Sequence, residues 1–376
     1  MQDSVMIFIL KSGQGHRNTA SYNRFLMLKQ MCEKHFETRV VGFQTFENRI
    51  TSKYKILNTV SYRLNILKGA ISVPVSDAKH RNVMFLLSTD PFLLLLVWII
   101  ARFKGNKIIN ERNEFPETIR KGIKWRVFVY KATVLWWQYR LLDGIFLMTD
   151  ELINFYSPYI RKKCIVQKLP MTVDFERFSN FDSNKRSMPY IFYAGSFSQK
   201  KDGVKSLISA FNVIAKAIPE WELWLAGGAK QKEETEKLSK LIAKYGLTDK
   251  VKLLGEVNRV EIPGYLTNAK ILVLPRPDSI QARGGFPTKL GEYLASGKPV
   301  IATPVGEIPK YLSKDEIFFI SPQYIEKELK EKILYIYENY EDALVIANNG
   351  KLKAYESFSI EANAIKVKEL FIKVLR

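Results

Sequence analysis

Short apolar runs alternate with longer amphipathic stretches along most of this 376-residue chain. In the first half, residues 5–10, 39–42, 83–87, 107–109, 144–148 and 165–169 read as strands, with stretches of helical length between them. The pattern pauses over residues 174–189, a polar segment with the turn formers Asn180, Asp182, Ser183 and Asn184, which reads as an interdomain linker. It then resumes. Residues 190–193, 223–225, 251–254, 271–274, 300–301 and 317–320 read as strands, 204–217 and 233–244 as helices, and 326–376 as long helical stretches. Strand–helix alternation with buried strands predicts parallel, doubly wound sheets. The expected fold class is therefore α/β: two Rossmann-like domains facing across a cleft, over residues 1–175 and 188–357. Ligands of such folds bind beyond the carboxyl ends of the strands, so the loops there are where chemistry is expected.

Composition sharpens this picture in three places. Hydrophobic residues make up 47% of the chain, enough for a core in each half. Cys32 and Cys164 are its two cysteines, which suits a reducing compartment rather than a disulfide framework. The apolar stretch at 5–10 is too short for a signal peptide, and no basic residue precedes it. The ten apolar residues 92–101 fall short of the about 20 needed to span a bilayer; they read as a buried helix, the alternative being a segment that dips into a membrane.

The net charge of +20 is uneven: residues 1–175 carry 27 Lys+Arg against 13 Asp+Glu, and residues 176–376 carry 31 against 25. A basic half attracts polyanions, whether nucleic acid, anionic lipid or phosphorylated substrate. No nucleic-acid recognition motif reads out. Residues 123–142 are basic and aromatic, including Trp125, Phe128, Trp136 and Arg140. They read either as a helix at a lipid headgroup layer or as a helix burying its aromatics against a sheet. With the charge, this gives an anionic membrane surface as an expected partner, and a cytoplasmic, membrane-peripheral location.

The richest chemistry lies in Arg283-Gly284-Gly285-Phe286-Pro287-Thr288-Lys289-Leu290-Gly291-Glu292-Tyr293-Leu294-Ala295-Ser296-Gly297-Lys298-Pro299-Val300. A Gly-Gly loop runs into Pro287, suited to a first helical turn, and Gly297 suits the helix end. The helix start offers free N–H groups to an anion. Leu290, Tyr293 and Leu294 share the inward face, and Glu292 lies on another with Thr288 and Lys289. Glu292 reads either as an acceptor of hydrogen bonds from vicinal hydroxyls, as on a ribose, or as a surface partner of Lys289.

This segment resembles the donor-binding segment of glycosyltransferase family 4, which has the GT-B fold, in the branch found in bacterial surface-polysaccharide synthesis. The family often carries two glutamates with seven residues between them, followed by a Gly-x-Pro-Val strand entry. Glu292 matches the second, and Gly284 stands where the first would be. A second match is Tyr193-Ala194-Gly195-Ser196-Phe197-Ser198-Gln199-Lys200-Lys201-Asp202-Gly203-Val204. The family usually has an arginine after this glycine and a lysine about five residues on, both holding the donor diphosphate. Lys201 matches the lysine, Lys200 neighbours it, and Ser196 replaces the arginine. Arg276 is the preferred replacement cation, ahead of Arg283. Residues 226–228 and 305–308 fit the family more loosely, and Phe358-Ser359 resembles its closing signal, after which a last helix, 358–376, crosses back to the first domain.

The resemblance implies a retaining hexosyltransferase in cell-surface polysaccharide synthesis. It would move a sugar from a nucleotide-diphosphate sugar to a glycan or lipid-linked acceptor. Lys201, Glu292 and Glu111 are the implied catalytic residues. Gly195, Ser196, Lys200, Arg276, Gly284, Gly285, Phe286, Pro287, Thr288 and Lys289 are the implied donor contacts. Glu111 and Glu114 follow the strand at 107–109 and are candidates to orient an acceptor hydroxyl, the alternative being a capped loop of salt-bridged carboxylates. Gly13, Gly15 and Arg24 complete the acceptor side. No cofactor or metal is expected, because His16, His35, His80 and Cys32 form no ligand set. No nucleophile elbow or Walker motif is present. A non-catalytic nucleotide-sugar-binding subunit and a nucleotide-sugar epimerase of the same fold are the alternatives.

Overall fold

The computed structural model describes residues 4–11, 20–42, 55–119, 124–179, 188–228 and 232–376. Within them the chain divides into two compact units. Unit 1 is Met1–Pro170 with Ile360–Arg376, and unit 2 is Met171–Ser359.

Unit 1 is built on six parallel strands: β1 (Ser4–Leu10), β2 (Glu37–Val41), β3 (His80–Leu86), β4 (Lys107–Arg112), β5 (Gly144–Leu147) and β6 (Ile165–Lys168), in the spatial order β2-β1-β3-β4-β5-β6. Unit 2 repeats the plan with β7 (Tyr190–Gly195), β8 (Glu222–Gly227), β9 (Val251–Gly255), β10 (Ile271–Leu274), β11 (Val300–Ala302) and β12 (Phe318–Phe319), ordered β12-β11-β10-β7-β8-β9. Each predicted strand overlaps an observed one. The apolar runs were legible because parallel strands are covered on both faces, as the fully buried β5 and β10 are.

In each sheet the chain winds one way and then the other, reversing between β1 and β3 and between β7 and β10. At such a switch point neighbouring crossovers leave in opposite directions, and the space between them is where ligands of open α/β sheets bind.

The closing helix Ile360–Leu375 is part of unit 1. Phe371 meets Phe36 and Phe85 edge-on at centroid distances of 5.5 and 5.9 Å. A side chain at Gly144 would come within 2.7 Å of Val374, so the helix sits hard against β5. Unit 2 has its own core around Phe192, Phe211, Trp221 and Ile333.

Two helical expectations need correction. Residues 123–142 do not form one α-helix: a short helix at Lys124–Val129 gives way to a π-helical turn at Tyr130–Val134, then Leu135–Gln138 and a 3-10 turn at Tyr139–Leu141. Tyr130 and Tyr139 are buried, while Trp125, Phe128 and Trp136 are exposed, so only part of its aromatic set packs inward. The apolar run beginning at Phe92 lies in the helix Pro91–Phe103, capped by Asp90, whose carboxylate accepts from the N–H groups of Phe92 and Leu93. It is not buried all round. Leu93, Leu94, Val97 and Ala101 face inward, and Phe92, Leu96, Ile99 and Phe103 are 60, 44, 38 and 88% exposed along the opposite face. A helix apolar on every side leaves its buried stripe to be chosen by packing, which the sequence does not show.

Candidate functional site

In unit 2 the switch point gathers most of the predicted residues. β7 ends at Gly195, and a one-turn helix, Gln199–Asp202, follows. Gly203 closes that turn with φ +70°, and a side chain there would strike the Pro275 carbonyl at 2.1 Å. This close approach brings the turn against the end of β10, where Arg276 lies.

Asp202 is the hub. It is 1% exposed and accepts from Lys289 Nζ at 3.1 Å and from the Tyr193 hydroxyl at 3.0 Å, with Arg276 Nε 3.6 Å away. Arg276 Nε also donates to the Lys201 carbonyl at 3.4 Å. Burial works to raise the Asp202 pKa, but Lys289, Arg276 and Lys201 together hold it below the usual carboxylate value. Lys289 is pushed down to about 8, first by burial and further by Arg276 and Lys201, against the pull of Asp202. Sequence reasoning gave Asp202 no role. Its signal was a carboxylate between two lysines and a turn glycine, legible only once Lys289 is known to be 87 positions away in sequence and at hydrogen-bond distance.

Lys289 therefore does not pair with Glu292. The helix Thr288–Ala295 sends Lys289 over Gly195, where a side chain would collide with Nζ, and Tyr293 against β7, its hydroxyl accepting from Ala194 N–H at 2.7 Å. Glu292 faces another way and is bound by Arg177 Nη1, whose Nη2 donates to the Arg259 carbonyl at 2.6 Å. Arg177 lies on the 3-10 turn Phe175–Phe178, inside the segment read as linker, and was not predicted.

The glycine-rich segment is less open than expected. Gly284 is the buried last residue of a short helix, Ile280–Gly284, capped by the Ser279 hydroxyl; the loop proper is Gly285 to Pro287. Pro287 precedes the next helix as its N-cap rather than sitting in its first turn. Phe286 is 4% exposed and packs on Tyr311 and Phe358, at 5.5 and 5.3 Å, so its ring anchors the loop. Thr288, Lys200 and Lys201 are exposed at the carboxyl edge of the sheet, and Ser196 is half-buried, its hydroxyl accepting from Ser198 N–H. Gly297 ends the helix with φ +68°, as its position suggested. Arg283 is exposed and paired with Asp278, so of the two arginines only Arg276 enters the buried network.

In unit 1, Arg24 and Glu111 come together as a buried pair at 2.7 Å; Glu114 lies beyond them, its carbonyl accepting from the Tyr156 hydroxyl. Gly13 and Gly15 lie outside the described residues.

The family model for glycosyl transferases group 1 matches residues 174–353. Over those residues, just under half of the chain, this protein is similar to the group 1 glycosyl transferases. The match covers unit 2 almost from end to end and contains the Asp202 network and Glu292. An uncharacterised glycosyltransferase of Methanocaldococcus jannaschii is 27% identical over 188 residues, which is 50% of this chain and 49% of the relative, so the match spans about half the relative's length. Among solved structures, the sucrose-phosphate synthase of Thermosynechococcus elongatus aligns with TM-score 0.68 at 15% identity, over 99% of each chain. HepE of Anabaena, solved with UDP and glucose, aligns with TM-score 0.69 at 15% identity, over 98% of this chain and 99% of that one. At these identities the two structures establish a shared fold, that of the GT-B glycosyltransferases.

Proposed function

We propose that the protein transfers a sugar from a nucleotide-diphosphate sugar, with retention, to a glycan or lipid-linked acceptor in cell-surface polysaccharide synthesis. The observation that carries this reading is the cation cluster of Lys201, Arg276 and Lys289 at the switch point of the group 1 domain. A leaving diphosphate gains negative charge as the glycosidic bond breaks, and cations fixed beforehand stabilise it without reorganising. Lys201, Arg276 and Lys289 would meet the diphosphate, and the N–H groups opening the helix at Thr288 would add to them. Glu292, braced by Arg177, would accept from the ribose hydroxyls. Retention follows when the acceptor hydroxyl attacks from the face the diphosphate leaves, its proton passing to the departing phosphate oxygen. HepE was solved with UDP-glucose, which makes UDP the first nucleotide to try.

The test is release of nucleotide diphosphate from UDP-, GDP- and ADP-sugars, with and without membrane extract. We expect one donor to turn over, extract to stimulate it, and Glu292→Ala to weaken its binding by about tenfold or more, the loss of hydrogen bonds to a charged group. Unchanged donor affinity in Glu292→Ala would remove the assigned ribose contact.

The membrane part of the proposal is supported by the exposed stripe Phe92, Leu96, Ile99 and Phe103, together with exposed Trp125, Phe128 and Trp136. No helix among the described residues is long and apolar enough to cross a bilayer. A surface-lying apolar face with basic charge nearby suits the headgroup boundary of anionic lipid. Co-sedimentation with anionic vesicles should fall several-fold in Phe103→Ser; equal binding would discard this face.

A further inference from the structure

The switch point of unit 1 holds a pocket of about 240 Å³, beyond the carboxyl ends of β1, β3 and β4. Lys11, Arg24, Tyr62, Ser88, Glu111 and Arg112 are among its walls. It is far larger than the 10–15 Å³ a single water needs and below the range that takes a drug-sized ligand.

Its charges do not balance. Among the described residues of its wall, three cations face one carboxylate, and that carboxylate is already taken: Arg24 Nε donates to Glu111 at 2.7 Å, while its Nη1 and Nη2 reach the carbonyls of Pro170 and Leu169 at 3.0 and 3.3 Å. Arg112, only 2% exposed, has neutral hydrogen-bond partners alone among the described residues. Its Nε donates to the Tyr139 hydroxyl at 2.8 Å, and its Nη1 to the carbonyls of Ser88 and Glu111 at 2.9 and 2.8 Å. Its Nη2 is buried without a hydrogen-bond partner among the described residues. The next carboxylate, Asp90, is held by Arg63 at 2.6 Å and by the N–H groups of the helix it caps. A buried guanidinium without a counter-charge is costly, and an anion in the pocket would offset that cost. Lys11 stands at the same wall, its pKa lowered by burial against the pull of Glu111, as expected of an ammonium held away from water.

We infer that this pocket takes a sugar unit bearing an oxyanion, a phosphate ester or a uronate carboxylate, as the charged part of the acceptor. The inference rests on the transferase reading for the word acceptor, but the binding it asserts can be measured without turnover. The full chain is titrated with mannose 1-phosphate, methyl glucuronide and neutral methyl glucoside, with UDP binding measured separately. One of the charged sugars should bind at least tenfold tighter than the neutral one, with affinity falling as salt rises, and the tighter of the two identifies the anion. Lys11→Gln and Arg112→Gln should each lower that affinity fivefold or more while UDP affinity stays as in the wild type. Lys11 is only half-buried, so its variant keeps the test sound if Arg112→Gln fails to fold. Equal binding of charged and neutral sugars, or an unchanged affinity in folded Lys11→Gln, would overturn the inference. Absence of UDP binding would instead count against the transferase reading.

Discussion

At the β7–β10 switch point, Asp202 lies 3.1 Å from Lys289 and 3.6 Å from Arg276, a carboxylate placed between two cations. At the β1–β3 switch point, Glu111 is held by Arg24, and Arg112 is left among hydroxyl and carbonyl oxygens. The same sheet topology thus carries two different charge designs. The first is stable as it stands and still presents excess positive charge toward a ligand. The second surrounds a buried guanidinium with neutral oxygens among the described residues. The contrast separates a carboxylate that holds cations in place from a guanidinium held by neutral partners.

The largest effect should come from removing the hub. Asp202→Ala leaves Lys289 and Arg276 close together in a buried site with no counter-charge, a loss expected to cost about 3–5 kcal/mol. Glu111→Ala should cost less, roughly 1–3 kcal/mol, because Arg24 keeps two backbone carbonyls and the pocket admits water. Hydrogen exchange resolves the units: amides of β7 report the first variant and those of β3 the second. Equal losses would erase the distinction between the two sites.

How far the sequence reached differs between the sites for the same reason. Strands and the turn at Gly297 were legible because burial on both faces and left-handed backbone leave local marks. Glu292 and Lys201 were singled out through a family pattern carried in contiguous stretches. Asp202, Arg177 and Arg112 were missed because their roles depend on partners brought near by folding: Lys289 lies 87 positions from Asp202, and Glu292 lies 115 from Arg177. Arg112 was passed over as one polar residue in Glu111-Arg112-Asn113-Glu114, since only packing shows that its carboxylate neighbour is already engaged. The exposed stripe from Phe92 to Phe103 escaped for the converse reason: the sequence is apolar on every side, and the helix's neighbours decide which side is covered.

A smaller effect sharpens the comparison through pH. The Lys289 pKa of about 8 lies well below the ordinary lysine value of 10.5. A diphosphate beside it favours the charged form, so binding must raise that pKa and take up protons where the free site is partly deprotonated. UDP binding should therefore carry proton uptake of up to about half an equivalent at pH 8, approaching about one near pH 9, read by calorimetry in buffers of different ionisation enthalpy. The sign for affinity follows: it is full about a unit or more below pH 8, about halved at pH 8, and down by about tenfold at pH 9 if only the ammonium form binds. Lys289→Met should abolish the uptake and flatten the profile between pH 7 and 9, separating this lysine from any titration of the nucleotide base. Lys11 gives the control at the other site: Lys11→Gln should leave the UDP profile unchanged, because its charge belongs to the unit 1 pocket. Uptake that persists in Lys289→Met would move the titrating group elsewhere, and an altered UDP profile in Lys11→Gln would mean that the two charge designs are coupled rather than independent.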